Sequence, residues 1–363
     1  MQFNKELFLE KAHYISTHPT IKTLIWECTL RCNLHCRHCG SDCRKSAAVA
    51  DMPAEMFYQT VTRIRSAQGM SPLFVAITGG EPLMRPDLPS IGHFLKAMSV
   101  NWGIVTNGVL LTPTILDELL HAGLKTMSIS LDGLKPAHEW FRGTQASFET
   151  VLQSIKLMAG SPLKAYDVIT CVNQHSYSDL PQLYGILKGL GVKKWRLITV
   201  FPKGRARNQP EMFLDTTRFN GLMEFISHTK AERKLDISFG CEGFLGKYER
   251  KVRNSTYYCR AGINVLALRV DGSLSGCLSL REGFDQGNIY QDDVWGKWTN
   301  EFIPFRHRSW AKKGICHQCG HFDLCQGNSL HLRNSFEDEK VFCHLNEYQL
   351  HACSPSDHTD KQA

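Results

Sequence analysis

Short apolar runs rich in β-branched and aromatic residues alternate with longer amphipathic segments between residues 21 and 230. This alternation is typical of repeated βα units, in which a helix follows each buried strand and covers the sheet. The pattern predicts strands at residues 24–28, 73–78, 102–106, 126–131, 167–172 and 195–200. It predicts helices at residues 54–67, 91–98, 115–121, 148–158, 180–190 and 218–228.

Successive βα units imply a particular architecture. Crossovers between parallel strands are right-handed, so the units curl in one direction. We therefore expect an α/β fold in which residues 21–230 form an incomplete parallel barrel, a partial (β/α)6 TIM-like barrel. Chemistry in such barrels gathers at the carboxyl ends of the strands, so the loops that follow the strands are where a site is expected.

The pattern changes beyond about residue 235, where strands and helices no longer alternate and Gly, Cys and aromatic residues become dense. Residues 264–277, NVLALRVDGSLSGC, alternate apolar and polar positions around Asp271 and Gly272, which predicts a hairpin with a two-residue turn. We expect a small cysteine-rich domain over residues 235–350. The polar residues 351–363 are expected to form a disordered tail.

The composition indicates which kinds of partner and which cellular compartment to expect. Lys and Arg exceed Asp and Glu by seven in 363 residues, without the basic runs of nucleic-acid-binding arms. The N-terminus, MQFNKELFLEKAHY, has no apolar signal segment, and no stretch is long enough to span a membrane. We expect a cytoplasmic protein with no nucleic-acid or membrane partner. In that compartment, fourteen cysteines favour metal ligation over disulfides.

Three cysteines follow the first predicted strand in the run WECTLRCNLHCRHCG. Cys32, Cys36 and Cys39 are separated by three and then two residues. Three thiolates suit a [4Fe-4S] cluster that keeps one iron free for a reactive ligand. Cys28 and Cys43 lie close enough to compete for the ligand role, and a zinc knuckle or buried free thiols are the alternatives.

The second predicted strand runs into ITGGEP, where Gly79 and Gly80 allow the backbone to approach a ligand closely. Glu81 offers a carboxylate at the end of this strand, which we expect to hold an ammonium group. An ordinary turn is the alternative for this segment alone.

The cysteine trio, followed one βα unit later by the Gly-Gly-Glu segment, resembles the radical S-adenosylmethionine (SAM) superfamily. The resemblance implies that SAM binds the free iron and is cleaved reductively to a 5′-deoxyadenosyl radical. It implies further cofactor contacts from VTNG at residues 105–108, from SISLDG at residues 128–133, and from Arg142. Of these residues, Ser130 and Arg142 would hold the SAM carboxylate. An exposed position on a helix face is the alternative for Arg142. The cofactor-binding residues implied in this way are Thr78, Gly79, Gly80, Glu81, Asn107, Ser130 and Arg142.

A second group of cysteines occupies the C-terminal part of the chain. Cys316, Cys319, Cys325 and Cys343 supply four thiolates, enough to close another cluster, although spacing alone does not separate zinc from iron and sulfur. The arrangement resembles the SPASM extension of peptide- and protein-modifying radical SAM enzymes, which implies at least one auxiliary [4Fe-4S] cluster.

In the SPASM pattern Cys259 and Cys277 would serve a second auxiliary cluster. That pattern expects a further cysteine where this chain has Ser329, so whether this second cluster exists stays open. Sulfatase-maturing members carry an aspartate immediately after the hairpin cysteine, and here Leu278 follows Cys277. This departure argues against sulfatase maturation.

Together these features predict a radical SAM enzyme that abstracts a hydrogen atom from a peptide or protein substrate, with an electron donor such as flavodoxin or ferredoxin. Only about twenty residues precede the first strand, so leader-peptide binding is expected to need a separate protein or the barrel itself. One alternative is a small-molecule substrate such as a tetrapyrrole side chain. Another is a non-enzymatic iron–sulfur or zinc scaffold. No general acid or base is assigned.

Overall fold

The computed structural model describes residues 4–240, 242–281, 283–339 and 342–348. Nine strands of these residues form one sheet in the order β7-β6-β5-β4-β3-β2-β1-β8-β9. The strands are β1 Thr23–Glu27, β2 Phe74–Thr78, β3 Asn101–Thr106, β4 Leu124–Ser130, β5 Ala165–Val172, β6 Lys194–Thr199, β7 Asp236–Phe239, β8 Val265–Leu268 and β9 Leu274–Ser275. Neighbouring strands from β7 to β8 are parallel, so their carboxyl ends share one rim.

The predicted α/β partial barrel is confirmed. All six predicted strands are present as β1 to β6, and all six predicted helices are present within a few residues of their expected bounds. The helices are α1 Lys5–Thr17, α2 Ala54–Gln68, α3 Leu88–Ala97, α4 Pro113–His121, α5 Lys135–Arg142, α6 Ser147–Ala159, α7 Leu180–Gly189, α8 Thr216–Ala231, α9 Val294–Asn300, α10 Ile303–Arg306, α11 Phe322–Cys325 and α12 His344–Glu347.

Alternating side chains of β1 show how the strands divide the interior. Leu24 and Trp26 are fully buried, and the Trp26 ring stacks on Phe57 of α2 with ring centroids 3.9 Å apart. Ile25 points to the opposite face of the sheet, where it lines a cavity inside the barrel. Each strand therefore packs against a helix on one side and contributes to an internal site on the other.

The C-terminal part of the chain extends the same sheet at both edges. β7 pairs with β6, and β8 pairs in parallel with β1, with Thr23 opposite Val265. The hairpin of β8 and β9 places Leu268 opposite Leu274. The division into domains 21–230 and 235–350 stays a prediction.

The predicted two-residue hairpin turn is wrong in length. The Arg269 N–H donates to the Ser273 carbonyl at 2.9 Å, and the Gly272 N–H donates to the Arg269 carbonyl at 3.0 Å. Residues 270–272 therefore form a three-residue turn, with Gly272 at φ +84° in the left-handed region. This is the common arrangement of a type I turn followed by a glycine.

The predicted tail at residues 351–363 lies outside the described residues, as do Cys241 and Cys353. Within the described ranges, every helix is too short or too polar to cross a membrane.

Candidate active site

A cavity of about 220 Å³ opens at the carboxyl ends of β2, β3 and β4. It brings together most of the residues that the sequence assigned to the first cluster and to SAM. Those that line it are Cys32, Cys36, Cys39, Thr78, Gly79, Gly80, Asn107, Ser130 and Arg142. Segments that are far apart in the sequence thus form one site.

Residues 28–44, which we call the cluster loop, carry the three cysteines between β1 and α2. The loop is closed on itself, because the Cys32 N–H donates to the Arg44 carbonyl at 2.7 Å. It is joined to α5, because the Arg37 N–H donates to the Phe141 carbonyl at 2.9 Å. The loop is therefore held in place by backbone hydrogen bonds at its ends and its middle.

The chemistry of the three thiols fits a metal cluster. Cys32 and Cys36 are buried, and burial raises the pKa of both thiols, that of Cys32 to about 12. For Cys39, a hydrogen bond from the Cys43 thiol outweighs burial and lowers the pKa to about 6. Iron binds thiolates, so cluster assembly at Cys32 and Cys36 requires the metal to displace protons that burial otherwise retains.

Cys28 and Cys43 take different positions. Cys28 continues the β1 ladder, with its N–H donating to the Thr78 carbonyl at 2.8 Å, and it does not line the cavity. Cys43 lines the cavity, and its N–H donates to the Cys39 sulfur at 3.4 Å. Cys43 is thus a neighbour of the cluster site that the sequence left unassigned.

Gly79 and Gly80 pack directly against the cluster loop. The Gly80 N–H donates to the Thr29 carbonyl at 2.7 Å. A Cβ on Gly79 would lie 2.3 Å from the Thr29 oxygen, and a Cβ on Gly80 would lie 2.1 Å from the Arg31 oxygen. Both positions need glycine because another backbone approaches them, in addition to any contact with a ligand.

Glu81 does not line the cavity. Its fully buried carboxylate accepts hydrogen bonds from the Thr106 hydroxyl at 2.7 Å, the Asn107 N–H at 2.8 Å and the Leu83 N–H at 3.1 Å. These contacts join the ends of β2 and β3, so Glu81 has a structural role at this rim. Its expected contact with an ammonium group stays a prediction.

Arg142 is buried, not exposed on a helix face. Its guanidinium forms an ion pair with Asp132 at 2.5 Å and donates to the Cys36 sulfur at 3.6 Å. Although burial opposes the charge, Asp132 and Cys36 keep the pKa of Arg142 above its ordinary value. Arg142 therefore remains a cation beside the cysteines.

Two polar atoms at the cavity are buried without a hydrogen-bond partner in the described residues. They are Nε of Arg142 and Nδ1 of His38, whose ring stacks on Phe141. Burying a polar atom without a partner is costly, so such atoms mark places where a polar ligand belongs. A guanidinium with an unused donor fits the carboxylate of SAM, and the residues present thus suit the group that the sequence implied.

Arg205 is a site residue that the sequence analysis missed. It follows β6, and its guanidinium donates to the carbonyls of Cys36 at 2.7 Å and Cys43 at 2.9 Å. It also forms an ion pair with Asp42 at 2.8 Å. Its position just after a barrel strand was the available signal, because loops at that rim carry the site.

A second chamber of about 390 Å³ adjoins the cysteine cavity. The two share wall residues of the cluster loop and of β2, namely His38, Gly40, Ser41, Thr78 and Gly79. Cys277 and Leu278, which follow β9, also line the chamber. The chamber therefore links the first cysteine site to the C-terminal cysteines.

Cys259 and Cys277 are close neighbours. Burial raises the pKa of Cys277, and the charge of Cys259 raises it further. Arg308 acts against burial and lowers the pKa of Cys259. Ser329, where the SPASM pattern expects a cysteine, is fully buried and shares a hydrogen bond with the Tyr257 hydroxyl.

The remaining C-terminal cysteines form a second group. This group consists of Cys316, Cys319, Cys325 and Cys343. Burial is the largest effect that raises the pKa of Cys316, Cys325 and Cys343, and the charges of neighbouring cysteines in the group raise these pKa values further. The Arg333 guanidinium donates to the Cys316 sulfur at 3.7 Å. Within the described ranges no three His, Cys, Asp or Glu side chains are arranged to hold a single metal ion. Thiolates of a [4Fe-4S] cluster bind separate irons.

Comparison with known proteins gives related enzymes of two kinds. Residues 26–187 match the family model described as the Radical SAM superfamily. An AdoMet-dependent heme synthase of Methanosarcina barkeri is 24% identical over 324 residues, covering 84% of this chain and 90% of that protein. The mycofactocin maturase MftC of Mycobacterium tuberculosis is 24% identical over 327 residues, covering 85% of this chain and 78% of that protein.

Solved structures show the same fold. Streptococcus suis SuiB bound to S-adenosylmethionine superposes with a TM-score of 0.70 at 17% identity, covering 88% of this chain and 76% of SuiB. SuiB bound to its precursor peptide SuiA superposes with a TM-score of 0.68 at 17% identity, covering 92% of this chain and 77% of SuiB. With the family match and the cysteine cavity described above, residues 26–187 form a radical SAM domain, and the protein is an enzyme.

Proposed function

We propose that the protein abstracts a hydrogen atom from a residue of a peptide or protein substrate held in the chamber beside the cysteine cavity. The observation that carries this proposal is the shared wall between the two cavities, formed by the cluster loop and the end of β2. When bound to Cys32, Cys36 and Cys39, a [4Fe-4S] cluster together with SAM supplies a 5′-deoxyadenosyl radical. A substrate in the adjoining chamber would lie against the wall that the two cavities share.

The chain's own residues bind and orient SAM. Arg142, through its unused Nε donor, and Ser130, through its hydroxyl, would hold the SAM carboxylate. Asn107 fixes the adjoining wall, because its Nδ2 donates to the Asn33 side-chain oxygen at 2.8 Å. Thr78 and the two glycines after it line the same cavity, and their backbone groups would contact the SAM amino group.

The peptide substrate is supported by two comparisons. MftC is named as a maturase, and SuiB was solved with a precursor peptide on the same fold. A peptide substrate would place one side chain in the chamber, and Phe201 and Lys203, two half-buried residues just after β6, form part of the chamber wall. The proposal also includes an external electron donor such as flavodoxin or ferredoxin and a separate leader-binding protein. It places one or two auxiliary [4Fe-4S] clusters on the C-terminal cysteines.

A tetrapyrrole side chain is the second candidate substrate. The heme synthase relative favours it, and the chamber walls include the apolar side chains of Ile25, Ile198, Val200 and Leu278. A chamber of about 390 Å³ with such walls is within the range of small-molecule sites.

Transfer of deuterium into 5′-deoxyadenosine separates these substrates. Cells of the native host are grown in deuterated medium, and a peptide fraction and a tetrapyrrole extract are prepared from them. Each of these two preparations is incubated with the reduced, reconstituted protein and unlabelled SAM. We expect deuterated 5′-deoxyadenosine with the peptide fraction, and loss of the label after protease treatment. Label only with the tetrapyrrole extract would replace the peptide substrate by the second candidate. Unlabelled 5′-deoxyadenosine with both fractions would contradict both.

A further inference from the structure

The walls of the substrate chamber hold no Asp or Glu among the residues that the structure describes. Leu278 stands beside Cys277, so this part of the wall offers an apolar side chain instead of a carboxylate. Cys171 also lines the chamber, and burial raises its pKa well above that of a free thiol, so it stays protonated. The other titratable wall residues are His38, Lys203 and Cys277, so a carboxyl group that exchanges protons with the substrate must act from behind the wall.

Glu242 lies immediately behind Thr199, a chamber-wall residue at the end of β6. The Thr199 N–H donates to Oε1 of Glu242 at 2.6 Å, and the Thr199 hydroxyl donates to Oε2 at 2.5 Å. Glu242 is only 4% exposed, and Thr199 is 5% exposed. A carboxyl group closed off from solvent is thus connected to the chamber through one hydroxyl.

The surroundings of Glu242 keep both of its protonation states accessible. Burial raises its pKa to about 7, against the opposing effects of the Thr199 hydrogen bonds and the positive charge of Arg253. Arg253 is itself paired with Glu249 at 2.9 Å. The other titratable groups that face Glu242 are Cys171 and Tyr348, and both have raised pKa values and remain neutral.

We propose that Glu242 accepts a proton from the substrate in the chamber through the hydroxyl of Thr199. The substrate's proton passes to Oγ1 of Thr199 while the hydroxyl proton passes to Oε2 of Glu242, so one O–H bond forms for each bond that breaks. After the product leaves, Oε2 of Glu242 returns its proton to Oγ1 of Thr199 while the Thr199 hydroxyl gives its own proton to water that has entered the chamber. Proton transfer of this kind is efficient when the acceptor has a pKa near the working pH. This inference rests on the proposed function, because it requires the substrate to occupy the chamber.

Three variants of the full-length, anaerobically reconstituted protein test the relay. Glu242→Gln keeps an acceptor for Thr199 but cannot take up a proton, and Thr199→Val removes the hydroxyl. Thr170→Val is the matched control: the Thr170 hydroxyl is fully buried in β5, donates to the Leu131 carbonyl at 2.6 Å and does not line the chamber. Iron and sulfide content and the unfolding temperature report whether each variant folds.

The first measurement needs no substrate. Infrared spectroscopy of the wild-type protein should show a protonated-carboxyl band that disappears as pH rises through about 7, since a pKa near 7 leaves Glu242 protonated below that pH. Glu242→Gln should lack this band, and Thr170→Val should retain it. A wild-type protein without a carboxyl band that titrates between about pH 5 and 9 would overturn the relay, whatever is found with a substrate.

The second measurement uses the deuterated peptide fraction and compares modified peptide with deuterated 5′-deoxyadenosine. Glu242→Gln and Thr199→Val should lower the ratio of product to 5′-deoxyadenosine by about 100-fold, because hydrogen abstraction still occurs but the proton cannot leave. Thr170→Val should keep the wild-type ratio and its dependence on pH. An unchanged ratio in Glu242→Gln would overturn the relay. Unlabelled 5′-deoxyadenosine from the wild type, with a titrating carboxyl band, would instead contradict the proposed substrate.

Discussion

Nε of Arg205 donates to the carbonyl oxygen of Cys36 at 2.7 Å, across a separation of 169 residues in the chain. The same guanidinium contacts the carbonyl of Cys43 and the carboxylate of Asp42. Arg205 thus bridges the loop after β6 to the cluster loop after β1. The position of the cysteines depends on this bridge as well as on the loop's own hydrogen bonds.

Replacing Arg205 by Gln should loosen the cluster loop. Hydrogen bonds from a charged donor contribute about 1.5–3 kcal/mol each, whereas the ion pair with the half-exposed Asp42 adds little. We expect the free energy of unfolding to fall by about 2–4 kcal/mol and the iron content after desalting to fall at least about twofold. Denaturant titration and iron assays measure the two effects. Arg207→Gln is the control, because Arg207 is exposed on the same loop; equal losses in both variants would contradict the bridge.

Gly80→Ala should disturb the same loop from the opposite side. A Cβ at this position would lie 2.1 Å from the Arg31 carbonyl oxygen, so the cluster loop must move to accept it. Overpacking of this kind costs about 1–3 kcal/mol, and we expect the rate of SAM cleavage to fall together with iron content. Gly185→Ala is the control, because a Cβ there meets no atom within 4 Å, and it lies inside α7. If Gly80→Ala retains wild-type iron and SAM cleavage, the close approach is not essential.

The extent to which this fold follows from its sequence differs between the two parts of the chain. β1 to β6 were predictable because each is a compact apolar run followed by an amphipathic helix, a local signal. β7 was not, because four residues give too short a pattern, and the parallel pairing of β8 with β1 depends on contacts between distant segments.

The site shows the same division. The cysteines and the glycines after β2 were predictable because their spacing is local, whereas the direction of the Glu81 carboxylate depends on donors from β3. Glu242 follows the unpredicted β7, so nothing local marked its contact with Thr199. Buried polar contacts between segments are the part that sequence patterns do not specify.

Cys43 should control the reactivity of Cys39 in the cluster-free protein. The hydrogen bond from Cys43 lowers the pKa of Cys39 to about 6, so Cys39 is mostly thiolate at pH 7. In Cys43→Ala the pKa of Cys39 should rise, and alkylation by iodoacetamide at pH 7 should slow several-fold while the rate at pH 9 changes little. Mass spectrometry of the modified peptide measures both rates. Unchanged alkylation across this pH range would show that the hydrogen bond from the Cys43 thiol to the Cys39 sulfur does not form.

Iron content of the same variant decides whether Cys43 is a ligand. The three-cysteine site predicts that Cys43→Ala keeps the iron of the wild type, while Cys39→Ala loses the first cluster. Cys28→Ala is the control, because Cys28 belongs to the β1 ladder. Loss of iron in Cys43→Ala equal to that in Cys39→Ala would mean that four thiolates close the cluster.

The C-terminal cysteines should lose or gain iron in steps. Cys343→Ala should remove about four irons, because it breaks a four-thiolate set. Ser329→Cys should raise the iron content, because Ser329 is fully buried and the N–H of the next residue, Leu330, donates to the Cys259 sulfur. Ser154→Cys adds a buried thiol in α6 as a control. Iron and sulfide counts test these steps, and a Ser329→Cys protein with no additional iron would argue against a cluster at Cys259 and Cys277.

The buried ion pair of Asp132 and Arg142 should contribute more to the free energy of unfolding than the exposed ion pair of Lys135 and Glu149, which joins α5 to α6. Asp132 is 1% exposed, and Asp132→Asn would leave the Arg142 charge beside Cys36 without its counter-ion. Breaking a buried pair in this way costs about 3–5 kcal/mol, because the remaining charge stays desolvated. Lys135 and Glu149 form an exposed pair at the start of α5, so Glu149→Gln should leave stability unchanged within error.

Denaturant titration of the cluster-free, reduced protein measures both variants. The double variant Asp132→Asn, Arg142→Met should lose less stability than the sum of the two single variants, because it removes the uncompensated charge as well as the pair. Additive losses would mean that the two groups do not interact. In the reconstituted protein, the single Arg142→Met variant should also bind SAM more weakly, whereas Glu149→Gln should bind SAM as the wild type does. This comparison separates the role of Arg142 at the cavity from its role in the fold.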